Sequence, residues 1–122
     1  MSQYREQRLS EAYLHALASL LVTELTDPAL KGVYITRVKF TRDLSLADVY
    51  FATVDGREQE EAAKQAFLDS KGLIRRELAH KVNMKYTPDL RFFYDDTEEL
   101  QQKIDNLIRK IDHEPENKDE ED

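Results

Sequence analysis

Ser70-Lys71-Gly72-Leu73-Ile74-Arg75-Arg76-Glu77-Leu78, followed by Thr87-Pro88-Asp89-Leu90-Arg91-Phe92-Phe93-Tyr94-Asp95, is the stretch that decides the fold. Ala63, Phe67, Ile74, Leu78 and Val82 keep helical phase from about Glu58 to Met84, which as one rod would measure roughly 40 Å. A compact domain of about 110 residues is only about 30 Å across, so an unbroken rod would overhang it. The spacing therefore predicts a break at Ser70-Lys71-Gly72. Gly72 is the one residue there that tolerates any backbone dihedral, so it is expected to carry a kink in an unusual conformation that would strain a Cβ. A plain helix end or a tolerated interior glycine is the alternative reading. Pro88 then stops the chain, and Leu90 to Tyr94 is predicted to form a strand.

Before this stretch, Leu9, Tyr13, Ala16 or Leu17, Leu20, Leu21 and Leu25 fall at helical spacing from Ser2 to Leu25, and Thr26-Asp27-Pro28 ends the run. Lys31-Gly32 turns the chain into Val33 to Thr41, where Tyr34, Thr36, Val38 and Phe40 alternate against Arg37 and Lys39. Arg42-Asp43-Leu44-Ser45 connects this strand to another, Ala47 to Val54, as an antiparallel hairpin closed by Asp55-Gly56. After the third strand, Thr97 is the expected N-cap of a last helix, with Leu100, Ile104, Leu107, Ile108 and Ile111 as its apolar stripe. Beyond Ile111 the chain turns polar and acidic, so residues 1–111 are expected to form the domain and 112–122 a disordered tail.

The order is α-β-β-α-α-β-α. Strands joined through a helix pair run parallel with a right-handed crossover, so an α+β fold follows: a small three-stranded mixed sheet with helices on one face.

Composition narrows the function. A chain of 122 residues with no cysteine holds one domain, no disulfide and no thiolate metal site, and a reducing cytoplasm fits it. No apolar run reaches the ~20 residues of a membrane span, so no membrane role is expected. The net charge of -7 argues against a polyanion partner until its distribution is read. Seven of the 25 acids lie in 112–122, opposed only by Lys118. Lys64, Lys71, Arg75, Arg76, Lys81, Lys85 and Arg91 outnumber Asp69, Glu77 and Asp89 in the stretch from 64 to 91. One basic face and an acidic tail are the result.

Lys71, Arg75 and Arg76 beside the break are the leading candidates for RNA phosphate contact, with Lys64, Lys81 and Lys85 around them. Arg5 and Arg8, one turn apart at the start of the first helix, read as phosphate contacts or simply as solubilising charge. The aromatics of the strands read as core more than as stacking platforms. Since alternate strand residues face opposite ways, Phe93 or one of its neighbours Phe92 and Tyr94 must nevertheless point away from the helices. Catalysis has no support: His15, His80 and His113 are scattered, there is no phosphate-binding glycine loop, and the acids around Asp95 are explained by capping. No cofactor or metal is expected.

Taken together, Asp27-Pro28, Arg42-Asp43-Leu44 with Ala47 and Val49-Tyr50, Gly72 with Ile74-Arg75, and Pro88-x-Leu90-x-Phe92 with Asp95 resemble the ribosome-binding factor A family, from about Arg5 to Ile111. The resemblance implies a type II KH-like domain in which an Ala-x-Gly kink replaces the Gly-x-x-Gly loop. Ser70 departs from that pattern, and the arm before the first helix is very short. It also implies a monomeric small-subunit maturation factor that acts late on the rRNA end, is needed in the cold, and is released with a maturation GTPase. The competing reading is a protein-interaction module that uses its acidic tail or a sheet edge.

Overall fold

The computed structural model describes residues 2–117, with side chains for 4–97 and 101–111. Helix α1 (Ser2–Thr23) leads through a 3-10 turn at Pro28–Leu30 into strands β1 (Val33–Phe40) and β2 (Leu46–Thr53). Helices α2 (Glu60–Asp69) and α3 (Lys71–Lys81) carry the chain to β3 (Asp89–Tyr94), and α4 (Thr97–Asn117) follows. The sheet order is β1-β2-β3, with β1 and β2 antiparallel and β2 and β3 parallel, as the element order requires. Helices α1, α2 and α3 share one face of this sheet. Their buried residues, including Tyr13, Leu17, Leu20, Phe67, Ile74 and Leu78, meet Val49, Phe51, Leu90 and Phe92 of the strands.

Local chemistry sets the corners. Asp27 Oδ1 accepts from the Ala29 N–H at 2.9 Å and caps the turn that Pro28 begins. In the hairpin, Asp43 Oδ1 accepts from Thr41 Oγ1, Ser45 N and Ser45 Oγ at 2.8 to 3.0 Å, while Leu44 sits in the left-handed region at φ 62°. The three bonds from Ser45 and Thr41 lower the Asp43 carboxyl below its ordinary value. Register shifts between Ile35 and Arg37, which leaves Thr36 as a bulged residue.

The break falls where the spacing places it, but its cause differs. Ser70 carries the bend, at φ -96° and ψ 5°; its N–H reaches both the Ala66 and Phe67 carbonyls, and the Ile74 N–H returns to the Ser70 carbonyl. No side-chain cap bond is made there. Gly72 is an ordinary residue of the first turn of α3: it is not among the positive-φ glycines, and a Cβ built on it meets nothing within 4 Å. Its flexibility is unused, because one residue in the bridge region suffices to turn two helices onto one sheet.

The last helix departs from expectation in what its stripe meets and in where it ends. At its start, Asp95 Oδ1 accepts from the Thr97 N–H at 2.9 Å, which braces the expected cap residue. Its described stripe faces solvent: Ile104, Leu107, Ile108 and Ile111 are 43%, 60%, 54% and 62% exposed. Three helices already fill the available face of a three-stranded sheet. The helix also continues to Asn117 instead of ending at Ile111, since the sequence there changes composition without supplying a terminating glycine. Leu100, the side chains of 112–117 and all of 118–122 lie outside the described residues.

Asp95 is also the only buried carboxylate among the described residues. Burial raises its pKa, but bonds from Thr36 Oγ1 (2.5 Å) and Thr97, with Arg37 Nε at 3.5 Å, outweigh it and hold the group below its ordinary value.

These geometries can be tested by two substitutions. Gly72→Ala should leave the midpoint of a urea melt unchanged or raise stability by up to about 1 kcal/mol, and a clear loss would restore the strained-glycine reading. Asp95→Asn should cost about 1–3 kcal/mol at neutral pH. Because the native pKa is the lower one, the stabilisation is present above about pH 4 and is lost as pH falls through the native value. The gap between wild type and variant in melts from about pH 7 down to about pH 2 should therefore close at the acid end.

Candidate nucleic-acid interface

Helix α3 buries Ile74 and Leu78 and turns its cations to either side. At about 100° per residue, Lys71 and Arg75 share one strip, Arg76 lies further toward solvent, and Lys81 falls on the opposite flank. The expected cluster is thus divided by helix geometry into residues that hold the fold and residues that face water.

Arg75 belongs to the first group. Its Nε donates to the Pro88 carbonyl at 3.0 Å and its Nη2 to the Thr87 carbonyl at 2.9 Å, so one guanidinium fixes the loop that feeds β3. Lys71 Nζ lies 3.2 Å from Asp89 Oδ1. The Asp89 carboxyl is held below its ordinary value first by the Leu90 N–H and then by Lys71. Beside Arg75, burial pushes the Tyr13 hydroxyl up to about 12, against the pull of the Arg75 charge.

Around Arg75 a cleft of about 490 Å³ opens between four segments. Arg5 enters from α1, Asp43, Leu44 and Ser45 from the hairpin, and Met84 to Asp89 from the loop. Three of the expected site residues, Arg5, Arg75 and Lys85, therefore meet there, and Lys71 reaches the rim through Asp89. Arg76 and Lys81 are exposed, and among the described residues neither has an ion pair. Arg8 lies on α1 outside the cleft lining, with its guanidinium 5.7 Å from the Tyr4 ring. Lys64 is elsewhere: its Nζ is 5.9 Å from the Phe93 ring at the β3 edge.

Sequence reasoning missed Tyr86. It is 76% exposed on the cleft wall with Lys85 Nζ 5.6 Å from its ring, an aromatic and a cation presented together. The adjacent Lys85-Tyr86 pair in a polar loop ahead of Pro88 was the available signal. The hairpin tip was missed as well, because only the fold brings residues 43–45 beside 84–89. The cleft presents cations and a flat ring side by side.

Arg75→Ala should lower stability by about 1–3 kcal/mol in a urea melt, because two partly buried carbonyls lose their donor. Arg76→Ala should stay within about 0.5 kcal/mol of wild type. Equal effects would mean that the guanidinium does not anchor the loop.

A family model described as ribosome-binding factor A matches residues 5–108. Ribosome-binding factor A of Desulfatibacillum aliphaticivorans is 35% identical over 107 residues, covering 88% of this chain and 87% of its own. That of Trichlorobacter lovleyi is 38% identical over 112 residues, covering 91% and 90%. Among solved structures, the crystal structure of ribosome-binding factor A from Thermus thermophilus aligns with a TM-score of 0.67 at 27% identity, over 73% of this chain and 93% of that one. A homology model of the Thermus thermophilus ribosome binding factor A, fitted into the cryo-EM map of its 30S complex, aligns with a TM-score of 0.59 at 27% identity, over 75% and 91%. The match takes in the helix pair, the hairpin and the whole cleft, and the chain belongs to the ribosome-binding factor A family.

Proposed function

We propose that this chain binds the immature small ribosomal subunit through its rRNA and favours a late, folded arrangement of that RNA. The observation that carries the reading is the family match over residues 5–108, joined to the relative fitted into a 30S complex. The exposed cations Arg76, Lys81, Lys85 and Arg5 supply phosphate contacts, and Lys71 and Arg75 act by holding the surface in shape. No bond is made or broken in this role. Its effect on rRNA end processing comes from binding one RNA arrangement more tightly than another. The same reading makes the protein a cytoplasmic monomer, most needed in the cold, where misfolded RNA is slowest to rearrange, and released with a maturation GTPase. A protein-interaction role is the second reading, and the exposed stripe of α4 is the observation in its favour.

Arg76→Glu with Lys85→Glu should weaken binding to small subunits and flatten its salt dependence. Each lost phosphate contact removes about 0.7–0.9 of a unit from the slope of log K against log salt. Since neither side chain supports the fold, the melt should be unchanged. Unaltered binding by the folded variant at matched salt would exclude this surface as the RNA face.

A further inference from the structure

The face of the sheet turned away from the helices is not a plain polar surface. Alternate residues of all three strands form two rows across it, set by the pairing: Arg37, Tyr50 and Phe93 in one, Lys39, Asp48 and Arg91 in the other. In the first row the Arg37 guanidinium lies 4.1 Å over the Tyr50 ring, and the Tyr50 and Phe93 rings are 5.5 Å apart. Lys64 reaches Phe93 from the β3 edge at 5.9 Å, and Arg91 approaches the same ring at 5.9 Å from the second row. Both rings are half-buried, and helices α1, α2 and α3 all lie on the opposite face.

We propose that this outer face is a second RNA site, which takes a short single-stranded segment by stacking bases on Tyr50, Phe93 and the Arg37 plane while Lys39 and Lys64 meet its phosphates. Charge complementarity selects that occupant. Four cations stand on or beside the two rows, and the carboxylates of the sheet beside them are compensated, since Asp48 takes both bonds of Arg91, at 2.6 and 3.0 Å, and Asp95 takes those of Thr36, Thr97 and Arg37, which leaves Lys39 and Lys64 as the surplus charge. A polyanion can therefore approach without meeting an unpaired carboxylate from these strands, in a chain whose net charge is -7. Each ring has a cation within 6 Å, which suits the alternation of flat base and anionic phosphate along a single strand. A duplex hides its base faces and gains nothing from these rings. The site is separate from the cleft around Arg75 and gives the protein a contact for RNA that is not yet paired.

The test uses the full chain and a mixed-sequence single-stranded RNA of about ten nucleotides, with the duplex of the same sequence as comparison. Amide shifts at Arg37, Tyr50 and Phe93 should move with the single strand and stay still with the duplex. Phe93→Leu keeps apolar bulk but removes the ring, and it should weaken the single strand about tenfold by fluorescence anisotropy. Lys39→Glu should weaken it further at low salt. Shifts confined to Arg5 and Lys85, equal response to the duplex, or wild-type affinity in Phe93→Leu would each overturn the proposal. The wild-type shifts decide the matter even if a variant folds poorly. Arg76→Glu with Lys85→Glu should leave the shifts at Phe93 intact, so loss of the cleft reading and loss of this one are told apart.

Discussion

Phe67 is stacked on Phe92 with ring centroids 4.9 Å apart and ring planes nearly parallel at 3°, and set against Phe51 at 5.2 Å. The ring that α2 delivers to the core is thus also the contact that ties β2 to β3 from above. Once it is seated, the rest of the crossover has little freedom. A parallel partner for β2 must return to the same end of the sheet, and the crossover packs on the face that Phe67 already occupies. Bending at Ser70 lets Ile74 and Leu78 continue onto that face, and it fixes which flank of α3 looks toward the hairpin. The charged surface is therefore a by-product of packing: Lys71 and Arg75 lie where the bend leaves them, against Asp89 and the loop carbonyls, and Arg76 is rotated out to water.

This separation explains what was legible in the residues and what was not. The α-β-β-α-α-β-α order, the hairpin and the parallel return all follow from the alternation of strands, the turn spacing of helices, and prolines and glycines at the ends of runs. The position of the break followed from length. Its mechanism did not, because any residue can adopt the bridge conformation that Ser70 has, while glycine is the residue a reader of sequence is trained to suspect. Arg75 was legible as important and illegible in its role, since its partners lie 12 and 13 residues away and are backbone carbonyls that no side-chain pattern reveals. The stripe of α4 was legible as amphipathic, but periodicity names a face without saying what covers it. Asp95 reads in the sequence as an adjunct of a cap; its bond to Thr36 crosses 59 residues and falls at the bulge of β1.

The electrostatics are organised in the same way. Most carboxylates of the folded part that face a cation are committed to it: Asp89 to Lys71, Asp48 to Arg91, Asp95 to Arg37. The exposed cations Arg76, Lys81 and Lys85 have no ion pair among the described residues, so a chain of net charge -7 still presents local surfaces that attract a polyanion. Binding on such surfaces depends strongly on salt, while the stability of the fold, which rests on the apolar cluster, does not.

The parallel pairing has a consequence for how the molecule comes into being. Asp48 and Arg91, bonded across β2 and β3, are 43 residues apart in the chain. During synthesis, α1 and the hairpin therefore leave the exit tunnel with Val49 and Phe51 uncovered on the central strand, and they stay so until the helix pair and β3 have followed. At about 5–20 residues per second that interval lasts several seconds, long enough for helices to form but not for the sheet to close. Contacts of long sequence separation also slow the final step. Newly made chains should thus spend their first seconds as a partly exposed intermediate, and cellular yield should respond more to substitutions at Phe67 or Phe92 than to those on either charged surface.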